Sequence, residues 1–169
     1  NVNDLVFNFE LKNLEKSLID FLEELAYKNP LEIEQTMLDL QEQDIEETKK
    51  FVLPILQASP EFNLTQMSGN IGSGNFSGYV KTKLTDIENL PNVPNEDIAW
   101  WLSKVVIDSK LTFDKSMARE IDYIFELGAE AMIEQGMFTK NYVTGDFDLT
   151  FRLQDSLATL NDAPFPLPF

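Results

Sequence analysis

The stretch LVFNFELKNL at residues 5–14 alternates apolar and polar side chains and runs straight into EKSLIDFL at residues 15–22. The same pattern returns as VVIDSKLTF at residues 105–113, followed by DKSMAREI at residues 114–121. A period of two is typical of a strand with one buried face, and a spacing of three to four residues is typical of an amphipathic helix. Each stretch therefore predicts a strand that leads directly into a helix.

Both copies continue into segments that predict a β-hairpin, so the chain looks like a strand–helix–hairpin unit used twice. We expect one domain over residues 1–169, with related halves at about 5–89 and 96–167 joined by a Pro- and Asn-rich linker at 90–95. The expected fold class is α+β, a curved antiparallel sheet with helices packed on one face. The shared pattern also predicts one common core surface, formed by Phe7, Phe9, Leu11, Ile107, Leu111 and Phe113.

Several local features refine this expectation. Helices are predicted at residues 31–40 and 43–58 of the first copy, with a kink or break at Pro54. Its hairpin strands are predicted at residues 61–67 and 75–86, joined by the glycine-rich stretch SGNIGSG, which predicts a loop or a bulged turn. The second copy predicts a helix that Gly128 interrupts, followed by strands at residues 137–144, 147–154 and 157–160.

The net charge of −16 sets limits on the partners of this chain. It argues against nucleic acid, because a basic patch is needed to displace phosphate counterions, and it disfavours anionic lipid surfaces. There is no His and no Cys, which removes the usual proton shuttle, thiol nucleophiles and the commonest zinc ligands. No apolar run approaches the roughly 20 residues of a membrane-spanning helix.

The carboxylates offer two candidate sites, and both have a simpler interpretation. Asp146 and Asp148 flank a predicted turn, where Asp is favoured for backbone geometry. The acidic run from Asp39 to Glu47 lacks the glycine of a calcium loop and follows a helical pattern, which favours a solvated helix face. We therefore expect no catalytic residues, no metal site and no cofactor.

Trp100 and Trp101 are the candidate binding residues. They follow an expected N-cap at Asn95, and adjacent helix positions point about 100° apart. We expect one ring in the core and the other partly exposed, where it would be available to a ligand or partner.

Four segments carry a family resemblance: FNFELKNL at 7–14, SPEF at 59–62, AMIEQG at 131–136 and LATLNDAPFPL at 157–167. Together they resemble the YdgA family of bacterial envelope proteins of unknown function. The sequence departs from the family at residues 161–163, Asn-Asp-Ala in place of Asn-Gly-Lys, which leaves the type of the closing turn open. The resemblance implies the C-terminal part of a longer protein, with a periplasmic domain and an N-terminal anchor in the inner membrane.

The residues predict a non-enzymatic domain that binds a hydrophobic ligand or a protein partner through its sheet or a helix–sheet groove, and the resemblance implies that it acts in the bacterial envelope. The alternative is a structural or interaction domain of a larger membrane-anchored assembly, with no ligand of its own. The oligomeric state is left open.

Overall fold

The computed structural model describes residues 2–42, 45–85, 87–88, 98–117, 120 and 128–167. Within these ranges the strands are β1 (Val2–Lys12), β2 (Glu61–Ile71), β3 (Gly74–Leu84), β4 (Val105–Phe113), β5 (Thr139–Lys140), β6 (Phe147–Gln154), β7 (Leu157–Leu160) and β8 (Ala163–Pro164). The helices are α1 (Lys16–Ala26), α2 (Pro30–Glu42), α3 (Ile45–Gln57), α4 (Ile98–Lys104) and α5 (Ala129–Glu134). A 3₁₀ turn at Lys115–Met117 follows β4.

The strands form one antiparallel sheet in the order β1-β2-β3-β4-β6-β7-β8, and β5 pairs with β6. This curved sheet with its helices confirms the predicted α+β fold class. Between β3, β4 and β6 the register is unbroken, whereas β-bulges shift it between β1 and β2 and between β2 and β3. Bulges of this kind increase the local right-handed twist of a sheet.

Register and alternation give the sheet one apolar face and one polar face. Directly paired residues project from the same side of a sheet, so they form rows that cross it. Two apolar rows are Phe9–Leu64–Val80–Ser109–Phe151 and Leu11–Phe62–Thr82–Ile107–Leu153–Ala158. A row on the opposite face is polar throughout: Glu10–Asn63–Lys81–Asp108–Arg152.

Burial on the apolar face increases steadily from β1 towards β6. In the second apolar row the exposed fraction falls from 53% at Leu11 and 47% at Phe62 to 3% at Leu153. The main core lies at the far end of β4 and β6, where α5 and the 3₁₀ turn cover the sheet. Its members are Phe113, Met117, Ala129, Met132, Phe138 and Phe147.

The helices α1 to α4 leave and enter the sheet at the opposite end. The end of β1 pairs with the start of β2 through Lys12 and Glu61, and the end of β3 pairs with the start of β4 through Leu84 and Val105. The connections that carry α1–α3 and α4 therefore begin at the same sheet end. Helix α1 is capped by Glu15, whose carboxylate accepts a hydrogen bond from the Ser17 amide at 2.5 Å.

The core prediction is wrong for β1. Phe7, Phe9 and Leu11 lie on the same face as the β4 residues, as the pattern required, but Phe9 is 75% exposed and the other two are about half exposed. Of the predicted set, Phe113 is buried, while Ile107 and Leu111 are half-buried. Alternation predicts which side chains share a face, but it does not predict whether another layer covers them. The prediction of two related halves thus loses the burial pattern on which it depended.

The predicted glycine-rich loop is also wrong. Strands β2 and β3 extend through most of it, leaving Gly72 and Ser73 as the turn, and Gly72 has the positive φ of 61° that favours glycine. Gly74 is needed in β3 because a β-carbon there would lie 2.8 Å from the Met117 Cα. Gly72 therefore permits the tight turn, and Gly74 permits the 3₁₀ turn after β4 to pack closely against the hairpin.

Other boundaries differ in smaller ways. Helix α3 continues across Pro54 without a break. The strand predicted at residues 137–144 shortens to β5, because the Asn141 side chain accepts hydrogen bonds from the amides of Val143 and Thr144 and closes a turn. The predicted linker at 90–95 lies outside the described residues.

The closing turn, whose type the sequence left open, has the pattern of a type I′ turn. Asn161 and Asp162 both have positive φ angles, 51° and 63°.

None of the helices in the described part of the chain is long and apolar enough to cross a membrane.

Candidate functional site

Helix α4 holds the candidate binding residues against the edge of the apolar face. It leads into β4 without a loop, and its last carbonyl, at Lys104, accepts a 2.8 Å hydrogen bond from the Thr85 amide beyond β3. The helix contacts both β4 and β6. These constraints fix α4 over the sheet end where Leu153 and Ala158 are buried.

Trp100 and Trp101 pack against each other on this helix. Their ring centroids are 4.8 Å apart at an interplanar angle of 85°, an edge-to-face arrangement that aromatic pairs prefer. The Lys104 ammonium lies 6.0 Å from the Trp100 ring centroid, at the outer limit of a cation–π contact. Both residues are half-buried, so the expectation of a partly exposed ring is met, but the expectation that the other ring lies in the core is wrong.

A cavity of about 550 Å³ lies beside α4; we call it the α4 cavity. Helix α4 supplies Ala99 and Leu102, and β7 with the C-terminal segment supplies the rest. The full lining is Ala99, Leu102, Ser156, Leu157, Ala158, Pro164, Phe165, Pro166 and Leu167. Apart from Ser156, every lining side chain is apolar.

The predicted residues and the cavity are neighbours without coinciding. Trp100 and Trp101 do not belong to the lining, although Ala99 and Leu102 flank them on the same helix. Ala99 and Leu102 are three positions apart, so they lie on the same side of α4. This spacing is the one feature of the sequence that could have predicted the helix wall of the cavity. The opposite wall was not predictable, since it requires the segment after β7 to fold back, with Phe165 stacked edge-to-face on Phe151 at 6.2 Å.

A second cavity, of about 480 Å³, lies on the polar face of the sheet near the end of β1. Its charged side chains are Glu10, Lys12, Glu61, Lys81, Lys83 and Asp108. Opposite charges lie together there: Lys12 is 3.0 Å from Glu10, and Asp108 lies 3.4 Å from the Arg152 guanidinium. Such alternation leaves little net charge to attract either an anion or a cation.

Local contacts shift two pKa values on this face. The hydrogen bond and negative charge of Glu10 raise the pKa of Lys12. Burial, together with the Asp108 carboxylate 3.2 Å from its hydroxyl, raises the pKa of Tyr79. Both shifts keep the groups in the protonation states they already have at neutral pH, so neither residue is prepared for acid–base chemistry there.

The two carboxylates considered for catalysis belong to separate networks. Asp148 accepts a 2.6 Å hydrogen bond from Thr112 and lies 3.1 Å from the Lys110 ammonium. Asp146 instead accepts a 3.3 Å hydrogen bond from the Lys115 amide. Their surroundings therefore stabilise the sheet and the turn and do not bring the two carboxylates together for catalysis.

For metals, the described residues contain no group of three or more acidic side chains able to hold an ion. The acidic run from Asp39 to Glu47 lies outside the side chains that the structure describes.

One comparison identifies the family. A model described as "Bacterial protein of unknown function (DUF945)" matches residues 1–168, nearly the whole chain. No curated protein and no solved structure matches the chain. With its full-length match, the chain belongs to this bacterial family of unknown function, DUF945.

Proposed function

We propose that this domain binds an apolar small molecule, such as an acyl chain with an uncharged head group, in the α4 cavity. The observation that carries the proposal is the lining itself: a concave space of about 550 Å³ in which Ser156 supplies the single polar side chain. Sites for small apolar ligands typically have such volumes and a few placed polar groups. In this proposal the Ser156 hydroxyl is the group available to a polar head.

Charge narrows the class of ligand. The chain carries −16, and its excess negative charge lies outside the strands, in the helices and connecting segments. A field of this sign lowers the local concentration of anions. An uncharged or zwitterionic amphiphile is therefore favoured over a free fatty acid of the same chain length.

The tryptophan pair provides an intrinsic fluorescence signal that should report ligand binding. Trp100 and Trp101 flank Ala99 and Leu102 in sequence, so a ligand that displaces water from the α4 cavity changes the polarity next to the two rings. We keep both residues as predicted contacts of the ligand's exposed end.

The test is a titration with N-phenyl-1-naphthylamine, an uncharged fluorescent probe, followed by competition with a monoacylglycerol and with the matching fatty acid. Ala99→Phe places a ring in the cavity and is expected to weaken probe binding at least tenfold, about 1.4 kcal/mol. The control is Ala26→Phe, the same substitution at an exposed position at the end of α1.

Saturable binding that Ala99→Phe weakens and Ala26→Phe leaves unchanged supports the proposal. Equal binding by both variants refutes the α4 cavity as the site. If the probe and both lipids fail to bind at all, the ligand-binding function is refuted, and an interaction domain in a larger membrane-anchored assembly takes its place.

We also propose that the domain is non-enzymatic and acts in the periplasm, anchored to the inner membrane in a longer protein. The absence of His and Cys supports the first statement, and the resemblance to the YdgA family supports the second. Protease treatment of spheroplasts from the native bacterium tests the location, because only a periplasmic domain is cleaved. Turnover in a hydrolase screen, abolished by one Asp or Glu substitution, would refute the non-enzymatic proposal.

A further inference from the structure

The two edges of the sheet differ greatly. At one edge β8 has two residues and ends in Pro164, which cannot donate to a further strand. At the other edge β1 has 11 residues, contains no proline and pairs with β2 on one side. Within the described residues no strand pairs with its outer side.

Strand β1 is neither short nor interrupted by proline, and the other features that keep edge strands apart lie only near its ends. Natural edges are usually short, or carry proline, lysine or a bulge. Here the bulge on β1 itself lies near one end, at Asp4 with a φ of 53°, and the one lysine, Lys12, lies at the other end. The second register shift against β2, between Asn8 and Phe9, places its extra residue on β2, at Thr65. The stretch between Asp4 and Lys12 exposes four large apolar side chains on one face: Leu5, Phe7, Phe9 and Leu11.

We propose that β1 pairs in antiparallel fashion with β1 of a second copy of this chain, about a two-fold axis at Asn8. In this register Phe7 of one copy lies opposite Phe9 of the other, and Leu5 lies opposite Leu11. Asp4 lies opposite Lys12 at both ends of the pairing. The two sheets then join into one, with a continuous apolar face.

The sequence of β1 selects this register over its neighbours. A shift by one residue places the apolar side chains of one copy opposite the polar side chains of the other. The apolar residues of the two copies then lie on opposite faces of the joined sheet. An axis at Phe7 places Asp4 opposite Glu10, two like charges, and an axis at Phe9 places Lys12 opposite Val6, which loses both ion pairs. Only the axis at Asn8 places the four apolar residues opposite one another and Asp4 opposite Lys12; Val6 then lies opposite Glu10, on the other face.

The net charge of −16 does not prevent this contact. The eight strands carry six basic and five acidic side chains, so the sheet edge itself is close to neutral. The acidic helices of two copies still repel each other over a longer range, and salt screens repulsion of this kind. Dimerisation should therefore strengthen as salt concentration rises.

The absence of cysteine allows a direct test of the register. Asn8→Cys places two thiols directly opposite each other, where Cα atoms are about 4.5–5.5 Å apart, within the range of a disulfide. Glu10→Cys is the control on the same strand and face, because residue 10 of the two copies is separated by roughly 14 Å. Mild oxidation should give a covalent dimer with Asn8→Cys and none with Glu10→Cys.

Sedimentation equilibrium of the unsubstituted chain provides a second test. We expect a dimer that tightens between about 0.05 and 0.5 M NaCl. Asp4→Lys and Lys12→Asp should each weaken it roughly threefold to tenfold, and the double variant should restore it, since both ion pairs are re-formed in reverse. Lys16→Asp, on α1, changes the net charge as much as Lys12→Asp does and should leave the dissociation constant close to that of the unsubstituted chain.

Three results would overturn the proposal. The first is a monomer at about 100 μM in high salt. The second is disulfide formation with Glu10→Cys as efficient as with Asn8→Cys. The third is a double charge variant that associates no better than either single variant.

Discussion

The exposure gradient across the apolar face predicts very different consequences for two phenylalanines. Phe138 is 2% exposed, and its ring lies edge-to-face with Phe113 at 5.5 Å and near Phe147 at 6.5 Å. Phe9 lies on the sheet face against which Phe138 packs, but it is 75% exposed. We predict that Phe138→Ala severely destabilises the monomer, whereas Phe9→Ala barely changes it.

The magnitudes follow from burial. Truncating a fully buried Phe costs about 3–5 kcal/mol, because apolar contacts are lost and a cavity remains. Phe9 has buried only about a quarter of its surface, so at roughly 2–3 kcal/mol for a whole buried side chain its loss costs about 0.5 kcal/mol. The expected difference, at least 2 kcal/mol, is well above the error of an unfolding experiment.

The assay is urea unfolding monitored by circular dichroism, at a protein concentration low enough to keep the chain monomeric. Since domains of this size have only about 5–15 kcal/mol of stability, Phe138→Ala could abolish folding, and Phe138→Leu provides a milder variant, expected to cost about 1–2 kcal/mol. If Phe9→Ala lowers the free energy of unfolding as much as Phe138→Ala does, the exposure of β1 is wrong and so is the reasoning built on it.

Three further predictions concern Asp114, whose carboxylate accepts a hydrogen bond from the Ser116 amide in the 3₁₀ turn, a glycine and a metal. Burial raises the pKa of Asp114, but hydrogen bonds from Ser116 and Asn75 outweigh this effect and hold the pKa below its ordinary value. Asp114→Ala should therefore lower the free energy of unfolding by about 1 kcal/mol at neutral pH. The difference from wild type should shrink when urea unfolding is repeated below about pH 4, because the carboxylate is then protonated. Gly74→Ala should cost about 1–3 kcal/mol in the same assay, because its β-carbon would collide with Met117, and an unchanged midpoint would contradict the close approach. A calorimetric titration with calcium should show no saturable micromolar site, and stoichiometric heat would refute this expectation.

The sequence predicted secondary structure well where local rules decide it. The strand at residues 157–160 has the expected bounds, and residues 105–113 form β4 as predicted. Helix α3 appears close to its expected limits, because its apolar positions repeat at helical spacing. Such features depend on residues near one another in the chain.

The features that sequence analysis missed depend on distant contacts. Strand β1 has the alternation of a buried strand, yet the main core forms around Phe113 and Phe138, under α5. The α4 cavity needs the C-terminal segment to lie beside α4, which no local pattern encodes. The glycines at 69 and 74 resembled a loop because the side chains that approach them, Leu5 and Met117, come from elsewhere in the sequence.

The order of strands in the sheet has a consequence for folding kinetics. Except that β4 pairs with β6 and not with the two-residue β5, neighbouring strands follow one another along the chain. No long strand has to insert between two that are already paired. The β2–β3 hairpin and the β6–β7–β8 meander close through two-residue turns and should form early. Pairing of β1 with β2 must close a loop that contains three helices, so the loss of chain entropy is larger and this step should come late. The most exposed strand of the native sheet would then also be the last to join it, leaving its apolar side chains open to other chains for most of the folding reaction.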